Sequence, residues 1–336
     1  MRQYRQRAEK ACQWIQRRMQ EDGSLGPEVT DLACYYKIPY LMALLGRVER
    51  SHRVLNYVKR HLLQKDGDFL TEPDVKSTNP AFTEFWAYPN AWLVMAAQRM
   101  ARFDLSHPGY HYLTQFYHSA TGGFQPHLAQ GEKHITVDAM TTAHLGLTAL
   151  YLGDREKAVR AGDFLIQLMQ KQRDLDEGLF LRTDSVGEMI TDFVPEQNSL
   201  YHTSRTQRHQ LYFMAGYPIG FLVKVFRATQ EGRYLEAAKH YADFALSCGE
   251  NILESPWSHN VMWGTALLAR VSGETKYADF SRKLADFFVD IQDDEGCWVP
   301  HEPFYLTVAQ TAEIAIWLTE TDACLAHVKA AVSSTE

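Results

Sequence analysis

No apolar run of eighteen residues occurs anywhere in the chain, which excludes a membrane-spanning helix. Cysteine is sparse and scattered. The five residues Cys12, Cys34, Cys248, Cys297 and Cys324 form no CxxC pair and no Cys/His cluster at zinc-site spacing. Reduced thiols and a cytoplasmic location are therefore expected, without a metal site. Basic stripes are missing, and a net charge of −7 argues against a nucleic-acid partner. P-loop, dinucleotide fingerprint and nucleophile elbow are absent too, so acid–base chemistry on a small molecule, with no cofactor, is the simplest mechanism left. The opening stretch MRQYRQRAEKACQWIQRRMQ is basic without an apolar segment behind it, so it does not read as a secretory signal. It reads as an amphipathic helix with Ala8, Cys12, Ile15 and Met19 on one face.

What the chain has is a repeat. Apolar segments rich in small residues recur as LACYYKIPYLMALLG, FTEFWAYPNAWLVMAA, DAMTTAHLGLTALYLG, LYFMAGYPIGFLVKVF, HNVMWGTALLARVSG and LTVAQTAEIAIWLTE. They start near residues 32, 82, 138, 211, 259 and 306, so all but one interval lies between about 47 and 56 residues. The fourth is delayed by the polar stretch from Arg182 to Thr206. Each segment is apolar nearly all round, as a helix buried on several sides must be. Between them run charged helices with an apolar stripe at i, i+3/i+4, such as REKAVRAGDFLIQLMQ and TKYADFSRKLADFF. Glycine turns follow the charged helices at DGSL, DGDF, TGGF, DEGLF and DEGCW. Six buried helices alternating with six outer ones predict one all-α domain over residues 1–336, an (α/α)6 toroid of six hairpins with a cavity at its centre. The insert 182–204 is expected as a lid loop over the cavity mouth.

Two family resemblances lie in these motifs. The helix end followed by DG or EG and an apolar residue (WIQRRMQEDGSL, FFVDIQDDEGCW) resembles the repeat of squalene-cyclase-type and protein-prenyltransferase toroids. The third hairpin, VDAMTTAHLGLTALYLGDREKAVRAGDF, resembles the six-hairpin glycosidases, unsaturated glucuronyl hydrolases in particular, where a D-x-M stretch opening an inner helix carries the catalytic acid. Both resemblances imply that Asp138 protonates an unsaturated carbon. The chain departs from each pattern. The DxDD of class II cyclases is reduced to V-D-A-M, no second aspartate stands in TGGFQPH, and no D-x-C precedes a matching histidine for prenyltransferase zinc.

Candidate residues follow from where a toroid keeps its cavity, at the starts of the inner helices. Aligning repeats one and three on Gly46 and Gly153 puts Asp31 opposite Asp138, each fifteen residues before its glycine. Either is explained as an N-cap carboxylate at the positive end of a helix. Asp138 is also a candidate acid, because it stands between His134 and His144 in a segment with few charges, where burial would raise its pKa. His209, His202, His259 and His301 lie at other inner-helix starts as bases, ligands or plain caps. Tyr35, Tyr36, Trp86, Tyr88, Tyr212, Trp263 and Tyr305 are expected to line the cavity, where aromatic faces stabilise developing positive charge or stack on sugar rings. Glu84, Lys37 and Glu313 are charges in apolar segments that packing alone does not explain. Arg205 and Arg208 suit a carboxylate. Pro39, Pro89 and Pro218 predict kinks that would free the carbonyls of Tyr35, Phe85 and Met214.

Three functions fit. The first is a terpene-cyclase-like enzyme that protonates an unsaturated, largely apolar molecule and then isomerises, cyclises or hydrates it, with Asp138 as acid and Asp31 or a histidine as partner. The second is a carbohydrate enzyme, an unsaturated glucuronyl hydrolase or sugar epimerase. The third is a non-catalytic helical module that binds a ligand. The polarity of the cavity wall separates the first two.

Overall fold

The structure, a computed structural model, describes residues 2–128 and 135–333. In chain order the helices begin with α1 (Arg2–Gln16), α2 (Ile38–Leu44), α3 (Val48–His61), α4 (Ala81–Glu84), α5 (Tyr88–Arg99) and α6 (Phe103–Leu113). They continue with α7 (Ala139–Tyr151), α8 (Arg155–Gln170), α9 (Pro195–Tyr201), α10 (Phe213–Thr229) and α11 (Gly232–Ser247). The last are α12 (Glu250–Leu253), α13 (His259–Ser272), α14 (Thr275–Asp290) and α15 (Phe304–Ser333). Four short strands, β1 (Thr136–Asp138), β2 (Gly178–Phe180), β3 (Arg182–Asp184) and β4 (His202–Ser204), accompany the third and fourth hairpins.

An inner ring runs α2, α5, α7, α10, α13, α15 and back to α2, each helix packed on the next. The outer helices α3, α6, α8, α11 and α14 each back the inner helix before them, and α1 backs α15. The two ends of the chain thus form the sixth hairpin together, which closes the toroid. Burial follows the patterns read from the sequence. In α13 every residue from His259 to Ala269 is buried. In α14 the buried set Tyr277, Ser281, Leu284 and Phe288 faces inward while Asp279, Lys283 and Asp286 are exposed. No described helix is long and apolar enough to cross a membrane.

Glycine sets two kinds of close approach. Gly67 adopts φ +97°, and a methyl group there would lie 2.3 Å from the Pro108 carbonyl oxygen, so the turn after α3 can rest on α6 only without a side chain. Between α10 and α13, a methyl on Gly220 would lie 2.1 Å from the Trp263 ring. That contact brings His259 and Asn260 up against the start of α10.

The prolines differ from expectation. Pro39 and Pro89 sit in the first turns of α2 and α5, where the missing N–H is no loss. The Tyr35 and Phe85 carbonyls are not free, since they accept from Ile38 N at 3.2 Å and Tyr88 N at 3.1 Å. Of these three prolines, Pro218 alone lies inside its helix. The insert is more ordered than a loop: β3 pairs antiparallel with β1, placing Arg182 opposite Asp138, β4 pairs with β2, and α9 lies between.

Candidate functional site

A cavity of about 240 Å³ opens where the inner helices begin. All six contribute. Tyr36 and Lys37 precede α2, Tyr88 starts α5, Met140 starts α7, Phe213 and Met214 start α10, His259 starts α13, and Leu306, Gln310 and Glu313 come from α15. Phe82, Phe85, Leu200, Leu211 and Trp257 complete a wall that is mainly aromatic and aliphatic, with Asn79 at one side.

At the inner end stands a buried ion pair between Lys37 and Glu313. Glu313 also accepts from the Tyr217 hydroxyl at 2.8 Å, Trp317 Nε1 at 3.1 Å and the Tyr88 hydroxyl at 3.2 Å. Burial alone would raise its pKa, but the charge of Lys37 outweighs that and holds the carboxyl well below its usual range. Burial pulls the Lys37 ammonium below its ordinary value. His259 turns Nδ1 to the Pro256 carbonyl at 3.2 Å and has Nε2 3.6 Å from Glu313. Oriented to satisfy its neighbours, the Asn260 amide donates to His259 Nε2 at 2.9 Å and to Glu313 at 3.3 Å.

A second polar group is built from Glu84, Asp138 and Tyr201, close in sequence to the cavity residues Phe85, Met140 and Leu200, and from Arg182. Asp138 caps α7, accepting from Thr141 N at 2.8 Å through Oδ1. Its Oδ2 is buried without a hydrogen-bond partner, as are Arg182 Nε and Thr141 Oγ1. Burial raises the Asp138 pKa more than the Thr141 amide and the Arg182 charge lower it, to about 6. Arg182 and the Tyr201 hydroxyl both bond Glu84, with His127 4.0 Å away. These partners outweigh burial and keep Glu84 below the ordinary carboxylate value. Burial thus holds the Asp138 carboxyl above the ordinary range, while Tyr201 and Arg182 hold that of Glu84 below it.

Of the aromatic and polar residues expected at the cavity, Tyr36, Tyr88 and His259 line it, as do Lys37 and Glu313. Others lie elsewhere. Asp31 caps the short 3-10 turn Leu32–Cys34 and accepts from Ser77 Oγ and Thr78 N, both at 2.7 Å, so it ties down the 71–78 segment. Tyr35 stacks on Tyr57 at 4.6 Å, and its hydroxyl bonds the Val29 carbonyl. Trp86 donates to Asp68 at 2.9 Å, in a buried network with Lys76 and Asn90. Tyr212 donates to the Gln207 carbonyl at 2.9 Å, and Trp263 to Glu320 at 2.7 Å. Tyr305 is part-buried beside Leu306, off the cavity wall. His209 is exposed at φ 56°, while Arg205 pairs with Asp176 and Arg208 bonds Asn251 at the surface. His144 lies beneath the cavity, 4.8 Å from the Tyr88 ring and 5.0 Å from Tyr217, and burial lowers its pKa to about 3. It is a neutral imidazole in the core. His134 lies outside the described residues.

The sequence reading missed Arg182 and Tyr201, which it counted only as parts of the insert. An arginine opening a polar insert is a weak signal, and its partner Glu84 is 98 residues away. Gln310 and Asn79 carried no signal.

Solved structures share this architecture over nearly their whole length. A GH76 alpha-mannanase from Bacteroides thetaiotaomicron superposes with a TM-score of 0.65 and 14% identity, covering 96% of this chain and 97% of its own. A D-mannose isomerase gives 0.62 and 14% identity over 93% and 96%. A type II terpene cyclase from Scytonema, solved with geranylgeranyl dihydroxybenzoate, gives 0.60 and 10% over 96% and 98%. An unsaturated glucuronyl hydrolase specific for heparin also matches, at 0.61 and 9% identity. The chain therefore has the six-hairpin α/α toroid of both groups whose motifs it resembles, and identities this low show the fold alone. No protein-family model and no curated protein matches the sequence.

Proposed function

We propose that this toroid is an acid–base enzyme acting on a small, unsaturated, largely apolar molecule held in the central cavity, with Asp138 as the proton donor. One observation carries the reading: Asp138 keeps a buried, unpartnered carboxyl oxygen and a pKa of about 6 beside an aromatic cavity, while Glu84 next to it stays ionised. Environments that push two carboxyls apart in this way assign an acid and a base. Met140, two residues on from Asp138, lines the cavity, and repacking of its unbranched side chain would open the donor to a substrate. Protonation of a double bond leaves a cationic centre. The faces of Tyr36, Phe82, Phe85, Tyr88 and Trp257 would stabilise it before proton loss or water addition completes an isomerisation or hydration. At about 240 Å³ the cavity is at the small end for ligand sites, which favours a compact substrate over a long isoprenoid.

A carbohydrate enzyme is the second reading. It is favoured by Lys37, Glu313, His259, Gln310 and Asn79 on the wall and by neighbours that include a mannanase and a mannose isomerase. A thermal-shift screen against small unsaturated apolar compounds and against unsaturated or uronic sugars separates the two. A ligand at about a hundred times its Kd adds roughly 2.7 kcal/mol. Stabilisation by the apolar panel, with turnover that Asp138→Asn removes, supports the first reading; stabilisation by sugars alone overturns it.

A further inference from the structure

Proton donation from Asp138 leaves one reactive group of the cavity unused. Lys37 and Glu313 are each about 2% exposed, yet both line the ligand space. Apart from Glu313, the surroundings of the Lys37 ammonium are aromatic, with ring centroids of Tyr36, Tyr88 and Trp92 at 4.8, 5.5 and 6.0 Å. A buried ion pair in such a setting contributes little stability that well-packed apolar side chains would not supply. Its two charges also cancel, so it does not call for an anionic ligand. What it presents to the cavity is an amine already bonded to a proton acceptor. That acceptor is held in place by Tyr217, Trp317 and Tyr88.

We infer that Lys37 is a nucleophile that captures a small apolar aldehyde or ketone as an imine in the central cavity. Burial leaves a share of the Lys37 amine neutral, and its nitrogen lone pair attacks the carbonyl carbon while the C=O π pair moves to oxygen. That oxygen takes up both protons of the attacking nitrogen in turn and leaves as water as the C–O bond breaks and C=N forms. One water is released and nothing is oxidised or reduced. Burial among apolar groups favours the neutral amine and so makes a lysine nucleophilic, and here it outweighs the pull of Glu313 toward the ammonium. The Tyr88 hydroxyl and His259, both within reach of Glu313, can exchange protons with the departing oxygen. The inference rests on the central cavity being the ligand site and is independent of Asp138.

The test is reductive trapping on the full chain with cinnamaldehyde, a compact unsaturated aldehyde, and cyanoborohydride, read by intact mass and peptide mapping. One reduced adduct is expected on the peptide that carries Lys37, forming at least about tenfold faster than on any surface lysine. It should persist in Asp138→Asn and vanish in Lys37→Arg and Lys37→Met. Should the lysine variants fail to fold, the peptide map of the unaltered chain decides alone: label confined to surface lysines overturns the inference. Cinnamyl alcohol, which fits the same space but cannot form an imine, separates the two readings. If it raises the melting temperature while Lys37 stays unlabelled, the cavity reading stands and the imine falls. If neither occurs, both fall.

Discussion

Asp31 and Asp138 occupy the same place in their repeats, each fifteen residues before the glycine that ends an inner segment, yet the fold uses them differently. Asp31 is half-buried and saturated. It takes the Ala33 amide, the Ser77 and Thr78 hydroxyls and the Thr78 amide, all at 2.5–2.7 Å. Asp138 is buried, accepts from Thr141 N on one oxygen and leaves the other unpartnered. A carboxylate that spends every lone pair on the protein is a staple, and one that withholds an oxygen has it free for a proton or a substrate. The insert makes the difference, because β3 lies against β1 and shields Asp138, while the corresponding segment over Asp31 supplies it with donors.

Substitutions can sharpen or break this contrast. The largest effect belongs to Asp138→Asn. Asparagine caps a helix as well as aspartate does, so the melting temperature should hold within a few degrees. Turnover should fall by roughly 10²–10⁴-fold, the contribution of a general acid. Undiminished turnover would put Asp138 in the same class as Asp31.

Next comes pH. The folded Asp138 carboxyl keeps its proton up to about pH 6, against an ordinary value of 3.8, so between those values the folded state binds the extra proton. Its contribution is fully present below the lower value and is lost as pH rises through about 6, a change of about 3 kcal/mol at 1.36 kcal/mol per unit. Glu84 and Glu313, both depressed, act in the opposite direction, so the observable is a difference. Denaturant titrations at pH 4 and pH 7 should find the advantage of the unaltered chain over Asp138→Asn shrinking by most of that amount, about 2 kcal/mol.

Asp31→Ala should lower stability by about 2 kcal/mol through loss of the cap and of the ties to 77–78. Because Asn79 and Ala81 of the adjoining segment line the cavity, KM should rise more than kcat falls. Melting curves and steady-state kinetics measure both. The smallest effects are expected at His209 and Arg205, which the fold leaves at the surface. His209→Gly, which relieves a positive φ, and Arg205→Ala, which removes an exposed pair, should each change stability by no more than about 0.5 kcal/mol and leave turnover unchanged.

The ring was legible because its signals are local. Apolar segments such as 259–269 and striped ones such as 275–288 carry their burial pattern in their own spacing. The glycine turns at Gly23, Gly67, Gly122 and Gly296 mark where a hairpin rests on the next. Proline misled because its meaning depends on where a helix starts. The unwound turns at 35–37 and 85–87 place Pro39 and Pro89 in first turns, and neither segment announces that break. The site was legible only in part. Tyr36, Tyr88, His259, Lys37 and Glu313 stood out as aromatic or charged residues in apolar segments. Which charge meets which was hidden: Lys37 and Glu313 are 276 residues apart, and Glu84 and Arg182 are 98 apart. Pairings at such separations are set by ring closure and strand register, which no single repeat encodes.

As the proton donor, Asp138 must titrate well above the ordinary carboxylate value. Carbon-13 NMR titration of aspartate-labelled protein, with Asp138→Asn identifying the resonance, measures it directly. The account predicts a carboxyl midpoint near 6 that is absent from the variant. A midpoint at the ordinary 3.8 would mean that Asp138 is a helix cap and not the acid.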